Sequence, residues 1–422
     1  MANKTYITVV GLGYVGLPLA IEFSKKFETI GFDINEVRLK ELSGGYDSTD
    51  EVPKEVLETS NIKFTSHIKQ IAKSNFYVVT VPTPIDEYNK PDLRPLEEAS
   101  RIVGTVLKKG DYVIFESTVF PGATEEICVP ILEKHSSLIF NKDFFAGYSP
   151  ERINPGDKEH TVRDILKITS GSTPKASEYI DSIYKRIIEA GTYRASSIKV
   201  AEAAKVIENT QRDVNIGLIN EFTKIFDLLN IDTEEVLEAA ESKWNFLSFR
   251  PGLVGGHCIG VDPFYLTHKA QSLGFDPEII LAGRRTNDNM AHFVVEKLIK
   301  KMKSEKIQQD GSKCLVMGLT FKENCPDIRN TKVVDLIEAL QDKGIKVDCY
   351  DPYVDTKLSL KEYGLNMLSK PVKGSYDTVI LAVQHDTFFE MGIDDIKKFT
   401  KDESIIFDLK YMFDKDETEM RL

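Results

Sequence analysis

Near its start the chain reads Tyr6-Ile7-Thr8-Val9-Val10-Gly11-Leu12-Gly13-Tyr14-Val15-Gly16, an apolar run that leads into a glycine-rich turn. The apolar run predicts a buried strand, and the residues from Val15 to Phe27 predict a helix directly after it. Asp33 ends the next predicted strand, Thr29 to Phe32, at about the 20-residue spacing of a dinucleotide fingerprint. Strand, turn, helix and acid together predict a Rossmann domain that binds a dinucleotide.

Each part of this fingerprint has its own physical task. Gly11 makes the turn, Gly13 lets the backbone approach a pyrophosphate, and Gly16 allows close packing of the helix. Tyr14 and Val15 open that helix, whose amides and positive dipole end would face the phosphates. The turn is therefore the expected phosphate site.

The acid after the second strand bears on the choice between NAD and NADP. Asp33 would accept hydrogen bonds from the adenosine ribose and repel a 2′-phosphate, which favours NAD. Arg38 keeps NADP open, because a nearby arginine can accommodate that phosphate; it could equally cover the adenine or pair on the surface. NAD is the expected cofactor.

Further apolar runs predict more strands of the same parallel sheet, at residues 76–81 and 112–116. They are followed by the short hydroxyls of Thr83, Ser117 and Thr118. Open α/β sheets bind ligands beyond the carboxyl ends of their strands, so we expect these residues beside the cofactor. Ordinary turn chemistry would place the same residue types there.

The second half of the chain changes pattern twice. From Ser197 to about Asn230 apolar residues recur at threes and fours, which predicts a helix of roughly 50 Å that joins two domains and carries a dimer contact. A second α/β unit without the glycine fingerprint follows, with strands at 313–317, 346–350 and 376–383 and a helix at 331–342. We predict an α/β protein with two Rossmann-like, doubly wound parallel-sheet domains joined by a central helical domain, divided as 1–196, 197–300 and 301–422.

Composition narrows the function classes. The chain is 41% hydrophobic and 28% charged, as in soluble globular proteins, and its net charge of −12 opposes non-specific binding to nucleic acid or anionic membranes. A local basic pocket for a phosphorylated substrate stays open. No apolar run approaches the roughly 20 residues of a membrane span, and no signal-peptide core follows Met1, so a cytoplasmic protein is expected.

One of the five cysteines stands apart from the others. No CxxC pair or cluster with histidine occurs, so no metal site is expected. Cys258 lies in a glycine-lined turn, Arg250 to Pro263, four residues before Asp262. A nucleophilic thiol beside a hydride acceptor lets an alcohol be oxidised beyond the aldehyde, which suggests a four-electron dehydrogenase. Cys314 and Cys349 lie in strand-like runs, Cys128 is expected to pack a helix, and Cys325 is undetermined.

Lys205 and Asn209 are four residues apart on the long predicted helix and therefore share a face. In an otherwise apolar helix this pair could bind a developing oxyanion, or it could be solvated.

In order and spacing, several segments resemble the UDP-glucose/GDP-mannose dehydrogenase family. Within that family, the segments around Glu151 and Cys258 resemble the bacterial UDP-N-acetylhexosamine (GlcNAc or GalNAc) 6-dehydrogenases. The resemblance covers nearly the whole chain and rests on Gly11–Pro18, Val81–Pro84, Ser149–Arg152, the Lys205/Asn209 helix, Gly255–Cys258 with Asp262, and Phe321–Lys322 with Asp327–Arg329.

The resemblance implies a domain for NAD, a helical domain that dimerises and carries catalytic residues, and a C-terminal domain for a UDP-sugar. It implies that Cys258 attacks the C6 aldehyde to give a thiohemiacetal, which is oxidised to a thioester and hydrolysed. Lys205 and Asn209 would stabilise the oxyanions. Further implied roles are proton transfer for Asp262 and orientation of the water for Thr118 with Glu151.

The resemblance also implies substrate contacts. Arg152 and Gly255 are expected at the sugar nucleotide, together with Glu151, Lys205 and Asn209. Lys322 and Arg329 would meet phosphate, a substrate carboxylate or the cofactor, or pair on the surface; we expect Lys322 at the substrate and Arg329 at NAD. Arg250 matches the arginine that family members contribute across the dimer interface. The sugar cavity is expected to be shaped by His257, Ile259 and Asn154-Pro155-Gly156.

Several alternatives remain at this point. UDP-glucose, UDP-ManNAc and GDP-mannose share the mechanism, and the group that takes the first alcohol proton is not determined by sequence. A two-electron dehydrogenase would need no thiol, and an inactive dinucleotide-binding regulator would have little use for Cys258, Lys205, Asn209 and Asp262 together. We expect UDP-GlcNAc or UDP-GalNAc to be preferred and UDP-glucose to be turned over poorly.

Overall fold

A computed structural model of the chain describes residues 4–86, 88–153, 161–256 and 258–422. It has two compact units, Met1–Glu208 with Phe264–Phe275, and Asn209–Pro263 with Asp276–Leu422. His257 and Asn154-Pro155-Gly156, which were expected at the sugar cavity, lie outside the described residues. The predicted boundaries after residues 196 and 300 stay a prediction.

The first unit is built on a six-stranded parallel sheet with strand order β3-β2-β1-β4-β5-β6. The order reverses between β1 and β4, so a crevice opens there beyond the carboxyl ends of the strands. A second, two-stranded parallel sheet pairs β7 with β8. The strands are β1 Tyr6–Val10, β2 Glu28–Phe32, β3 Lys63–Thr65, β4 Phe76–Val79, β5 Tyr112–Phe115, β6 Phe145–Tyr148, β7 Lys167–Thr169 and β8 Thr192–Arg194.

Helices pack around this sheet because packing buries their apolar faces away from water. Leu17, Ala20 and Phe23 of the first helix are fully buried with Ile7 and Val9 of β1. The helices are α1 Gly16–Ser24, α2 Glu36–Ser43, α3 Lys54–Thr59, α4 Ile68–Ile71, α5 Arg94–Gly104, α6 Val129–Ser136 and α7 Pro174–Tyr184, with a π-helical turn at Thr124–Cys128.

The long helix is confirmed: α8 runs from Ile198 to Leu229, 32 residues. Its residues up to Glu208 belong to the first unit and the remainder to the second.

The second unit contains a five-stranded parallel sheet with the order β10-β9-β11-β12-β13, which reverses between β9 and β11. Alternate side chains of β9 enter two different cores, Cys314 and Val316 one, Leu315 and Met317 the other. The sheet is therefore covered on both faces, and the predicted fold class is confirmed. The strands are β9 Lys313–Met317, β10 Lys346–Tyr350, β11 Tyr376–Leu381, β12 Thr400–Asp408 and β13 Met420–Arg421.

The helices after α8 are α9 Thr233–Glu241, α10 Asp262–Ser272, α11 Glu278–Asp288, α12 Met290–Ser304, α13 Val333–Asp342, α14 Thr356–Tyr363, α15 Asp386–Met391 and α16 Ile393–Lys397. Within the described ranges, none of the helices is both long and apolar enough to cross a membrane.

Some predicted elements are shorter than expected. The predicted strand 376–383 ends as β11 at Leu381, because the N–H groups of Ala382 and Val383 both turn toward the carbonyl of Met317. The strand predicted to reach residue 81 ends at Val79, and Pro82 lacks the N–H that a continuing ladder would need.

Candidate active site

The glycine turn after β1 has the shape of a phosphate cradle. Gly11 has a φ of +95°, and its N–H donates to the carbonyl of Phe32 at 2.9 Å. A Cβ on Gly16 would lie 1.8 Å from the Gly11 oxygen, so α1 packs onto the turn as closely as glycine permits. A Cβ on the exposed Gly13 would meet nothing within 4 Å. The turn therefore fits the pyrophosphate of a dinucleotide.

The start of α1 completes this cradle. Tyr14 and Val15 are half-buried between the turn and the helix, and Val15 caps α1 without a side-chain hydrogen bond. Amides at such a helix start bind anions together with the helix dipole.

Asp33 is positioned by the same turn. Its Oδ2 accepts from the N–H of Leu12 at 2.8 Å, and its Oδ1 accepts from the N–H of Asn35 at 2.8 Å. Each carboxylate oxygen has a further lone pair for a ribose hydroxyl. Asp33 thus links the glycine turn to the expected adenosine end of the cofactor.

Arg38 is buried beneath the turn. Its Nη2 lies 2.7 Å from Oδ1 of Asp47, and its Nε donates to the carbonyl of Leu12 at 2.9 Å. Because the guanidinium is already paired with a carboxylate, its charge is compensated within the protein. This arrangement favours NAD over NADP, the alternative that Arg38 had kept open.

Replacing Asp33 with Asn is expected to raise the use of NADP relative to NAD by about tenfold to a hundredfold, the value of a charge-assisted hydrogen bond. The amide removes the negative charge that repels a 2′-phosphate. The measurement is kcat/KM with each cofactor. Asp33→Ala serves as the harsher comparison, because it also removes the bond to Leu12. An unchanged ratio in both variants would show that Asp33 is not the ribose ligand.

The hydroxyls at the strand ends divide into two groups. Ser117 is buried, and its Oγ donates to the carbonyl of Val81 at 2.6 Å, which ties neighbouring strand ends together. Thr83 and Thr118 are half-buried at the same edge. Sequence reasoning missed Thr80, whose Oγ1 donates to the carbonyl of Gly11 at 2.8 Å. Its position directly after β4, at the reversal of strand order, is known only from the structure, because the sequence pattern predicted a strand through residue 81.

A buried ionic cluster surrounds Glu151. The ammonium of Lys167 donates to Glu116 at 2.6 Å and to Glu151 at 3.0 Å, and the hydroxyl of Tyr184 donates to Glu116. The other oxygen of Glu151 accepts from the N–H groups of residues 152 and 153 at 2.5 and 2.7 Å. Sequence reasoning missed Lys167 and Glu116, which are 51 positions apart in the chain.

Lys205 is buried on the part of α8 that belongs to the first unit. One turn earlier, Glu202 accepts from the N–H groups of Gly122 and Thr124 at 2.5 and 2.9 Å. These bonds fasten α8 to the segment that follows Thr118. The side chain of Arg152 forms an ion pair with Glu208.

The second unit brings Asn209, Cys258 and Asp262 together. Asn209 donates to Oδ2 of Asp262 at 2.6 Å, and both side chains are buried. The carbonyl of Cys258 accepts from the N–H of Asp262 at 2.8 Å, so the cysteine lies in the turn that opens α10. Cys258 is partly exposed, whereas Cys128, Cys314, Cys325 and Cys349 are buried. A helix start favours the thiolate form of a cysteine.

Close packing holds this turn in place. A Cβ on Gly255 would lie 2.5 Å from the carbonyl oxygen of Asn330, and one on Gly256 would lie 2.7 Å from the ring of Phe321. Gly256 has a φ of +83°, and its N–H donates to Asn330 at 3.0 Å. The two glycines therefore let the cysteine turn rest against the segment after β9.

Asn220 of α8 supports the same turn from its other end. Its amide donates to the carbonyl of Gly252 at 3.1 Å and accepts from the N–H of Gly252 at 2.8 Å. Asn287 of α11 in turn accepts from Asn220 at 2.8 Å. Sequence reasoning missed both residues.

A cleft lies beside the cysteine turn where the strand order of the second sheet reverses. Lys322, Lys332 and Lys410 contribute to its lining, and burial lowers the pKa of Lys410. Cations at a reversal point of a parallel sheet suit a nucleotide phosphate. The cleft is lined by Leu253, Gly255, Thr320–Glu323, Thr331–Val333, Ala382, Val383 and Lys410.

Two predicted arginines are engaged within the second unit. Arg329 is bound by Asp327, with 2.6 Å between Nη2 and Oδ2. Arg250 pairs with Glu241 and, at 2.9 Å, with Glu234 on α9, and these carboxylates raise the pKa of its guanidinium. A contact of Arg329 with the cofactor and a role of Arg250 across a dimer stay predictions.

Family models match along nearly the whole chain. The NAD-binding domain of the UDP-glucose/GDP-mannose dehydrogenase family matches residues 5–188, the central domain matches 199–289, and the UDP-binding domain matches 315–415. The cofactor predicted from the fingerprint is thus confirmed as NAD, and the C-terminal domain is of the UDP-binding type.

Similar proteins extend this result. A UDP-N-acetyl-D-glucosamine 6-dehydrogenase of Pseudomonas aeruginosa is 61% identical over 417 residues, 99% of each chain. One of Salmonella typhi is 58% identical, covering 100% of this chain and 99% of its own. The solved structure of a UDP-D-ManNAc dehydrogenase from Pyrococcus horikoshii is 30% identical, with a TM-score of 0.89 over 99% of this chain and 98% of its own. The chain therefore belongs to the UDP-glucose/GDP-mannose dehydrogenase family and is an NAD-dependent nucleotide-sugar dehydrogenase.

Proposed function

We propose that the protein oxidises the C6 hydroxymethyl group of UDP-N-acetylglucosamine, or of its GalNAc epimer, to the carboxylate. The relatives at 58 and 61% identity carry the GlcNAc activity in their names. The observation that carries the proposal is the grouping of the Cys258 turn, the Asn209–Asp262 pair and a lysine-lined cleft within one unit. A thiol, an oxyanion donor and a phosphate site are the parts that this reaction needs.

In the proposed mechanism, NAD in the glycine cradle supplies the hydride acceptor for each of two oxidations. Between them, the thiolate of Cys258 forms an S–C bond to the C6 aldehyde, and the carbonyl oxygen becomes the oxyanion of a thiohemiacetal. Loss of a hydride from C6 leaves a thioester, and attack by water breaks the S–C bond, releasing the carboxylate and the thiol.

Side chains on α8 and α10 would stabilise the negative charge that develops on the substrate oxygen. Lys205 and Asn209 would stabilise the oxyanions by donating hydrogen bonds. One N–H of the Asn209 amide donates to Asp262, which fixes the orientation of the amide group. The second N–H of the same amide therefore also has a defined direction. Thr118 and Glu151 would orient the hydrolytic water. Because Glu151 already accepts from Lys167 and two amides, it is held in one orientation.

With limiting UDP-GlcNAc, the protein is expected to form two NADH per sugar and the uronate as product. UDP-glucose is expected to have a kcat/KM lower by roughly tenfold to a hundredfold. A cavity formed around an acetamido group leaves polar groups unpaired when that group is missing, at about 1 to 3 kcal/mol each. Absorbance at 340 nm and mass spectrometry of the product provide the measurements.

A panel of UDP-GlcNAc, UDP-GalNAc, UDP-ManNAc, UDP-glucose and GDP-mannose makes this test selective. One NADH per sugar with release of free aldehyde would contradict the thioester route. Turnover of UDP-glucose equal to that of UDP-GlcNAc would contradict the substrate assignment while leaving the family chemistry intact.

We also propose a homodimer and the three-domain division at residues 196 and 300. Apolar side chains project from the second-unit part of α8 and the segment after α9: Leu228 is 80% exposed and Trp244 89% exposed. Such a surface is typical of a buried protein contact. We further place the enzyme in the cytoplasm, with its uronate product used for surface polysaccharides. Arg250 remains our candidate for a contact with the partner's substrate.

A further inference from the structure

The cluster around Glu151 contains more charge than its packing requires. The side chains of Lys167, Glu116 and Glu151 are 4, 0 and 9% exposed. Lysine and glutamate are almost never this deeply buried unless paired, and replacing a buried ion pair with apolar side chains often costs no stability. A structural explanation would need no charges here, so the cluster invites a functional one.

The two carboxylates have different surroundings. Glu151 accepts from the amides of residues 152 and 153 and from Lys167, whereas Glu116 accepts from Lys167 and Tyr184. Burial disfavours the charged form of both carboxyl groups. For Glu116 burial prevails and raises the pKa to about 7. For Glu151, Lys167 and the two amides outweigh burial and hold the pKa below its usual range. Charge is thus concentrated on Glu151, and Glu116 takes up a proton first.

We propose that Lys167 is a positioning residue, which keeps the buried Glu151 ionised and fixes the direction of its free lone pairs toward the reacting water. The proposal rests on the proposed function, in which Glu151 orients that water. Lys167 itself would touch neither substrate nor cofactor. It reaches Glu151 from β7, while Glu116 after β5 and Tyr184 on α7 hold the far side of the cluster.

Replacing Lys167 with Met is expected to shift the acidic limb of the kcat profile to higher pH by about one to three pH units, the effect of removing a close opposite charge. The sign follows from the ionised form being the active one. Activity is present above the pKa of Glu151 and is lost as the pH falls through it, so a raised pKa removes activity at higher pH. Activity near pH 9 should recover, and KM should change less than kcat.

Glu116→Gln is the matched control, because it removes the negative charge from an equally buried partner of the same lysine. Glu116 is already protonated where Glu151 titrates, so its amide should leave the acidic limb in place. Lys167→Arg, which retains the cation, should do the same. Equal shifts in Lys167→Met and Glu116→Gln, or a loss of kcat in Lys167→Met that no pH restores, would overturn the proposal.

A second measurement applies if Lys167→Met folds poorly. It also distinguishes a failure of this proposal from a failure of the proposed function, because it does not depend on catalysis. Carboxyl NMR of protein labelled with ¹³C-glutamate, assigned with Glu151→Gln, follows the ionisation of Glu151 without any turnover. The double variant Lys167→Met with Glu116→Gln removes one charge of each sign and should still show Glu151 titrating at higher pH. A titration of Glu151 that ignores Lys167 refutes the positioning role, whereas a wild-type protein that oxidises no UDP-sugar refutes the proposed function instead.

Discussion

Replacing Cys258 with Ala is expected to lower the formation of the sugar carboxylate on the order of a thousandfold or more, as removal of a covalent nucleophile does in other enzymes. Without the thiol the aldehyde has no route to a thioester, so the second oxidation loses its substrate. Binding of NAD should be unchanged, because the glycine cradle belongs to the other unit of the chain. Mass spectrometry of the product and a fluorescence titration with NAD provide the two measurements.

Cys128→Ala is the matched control for this loss. Burial raises the pKa of the Cys128 thiol to about 12, so at neutral pH it is protonated as well as inaccessible. The variant should form the carboxylate within a few-fold of the wild-type rate, with a modest loss of stability of about 1 kcal/mol. Near-normal acid formation by Cys258→Ala, or an equal loss in both variants, would rule out the thioester mechanism.

The elements predicted best are those specified by local sequence. β1 has the predicted bounds, and α8 differs from its prediction by one residue at each end. Gly11, Gly16 and Asp33 also stand where the fingerprint requires, since a strand, a turn and a helix that follow one another leave little freedom. The partly exposed Cys258 likewise owes its setting to its own glycine turn.

The contacts that sequence reasoning missed join residues far apart in the chain. Lys167 and Glu116 are separated by 51 positions, and Asn220 and Gly252 by 32. Such pairs depend on which strand ends and helices become neighbours, and no spacing pattern records that. Arg38 illustrates the same limit. Its role depends on its ion pair with Asp47, and the loop that brings Asp47 next to it is known only from the structure.

The turn after β9 in the second unit has the same backbone shape as the glycine turn after β1, but it lacks the open space at Gly13. Gly318 has a φ of +97°, and the N–H of Leu319 donates to Asp351 at 2.7 Å, as Leu12 does to Asp33. Thr320, fully buried, stands where Gly13 stands in the first unit, and its hydroxyl donates to the carbonyl of Lys322 at 2.8 Å.

Asp351 corresponds to Asp33 of the first unit. His385, which is fully buried, lies 3.0 Å from the carboxylate of Asp351, so this carboxylate is covered, whereas that of Asp33 is partly exposed. The second unit therefore has the strand order and the turn of a dinucleotide domain, but buried side chains fill the turn where Gly13 leaves open space in the first unit. This difference indicates that the open space at Gly13 is the feature that NAD binding requires.

Gly13→Ala is accordingly expected to weaken NAD binding by about tenfold to a hundredfold while leaving the cofactor-free protein within about 0.5 kcal/mol of its original stability. Its φ lies outside the left-handed region, and a Cβ there meets no protein atom within 4 Å, so only a ligand can oppose the methyl group. Gly16→Ala should behave in the opposite way. Its Cβ would lie 1.8 Å from the Gly11 oxygen and 2.4 Å from Oγ1 of Thr80, which should destabilise the cofactor-free protein by about 1 to 3 kcal/mol or more.

Chemical unfolding without cofactor and a titration with NAD distinguish the two variants. The cradle assignment requires the first variant to lose affinity without losing stability, because a pyrophosphate is what approaches the backbone at Gly13. If Gly13→Ala bound NAD as tightly as the wild type, the open space at Gly13 could not be where the pyrophosphate lies. If Gly16→Ala were fully stable, the close packing of α1 on the turn would not be what holds the cradle together.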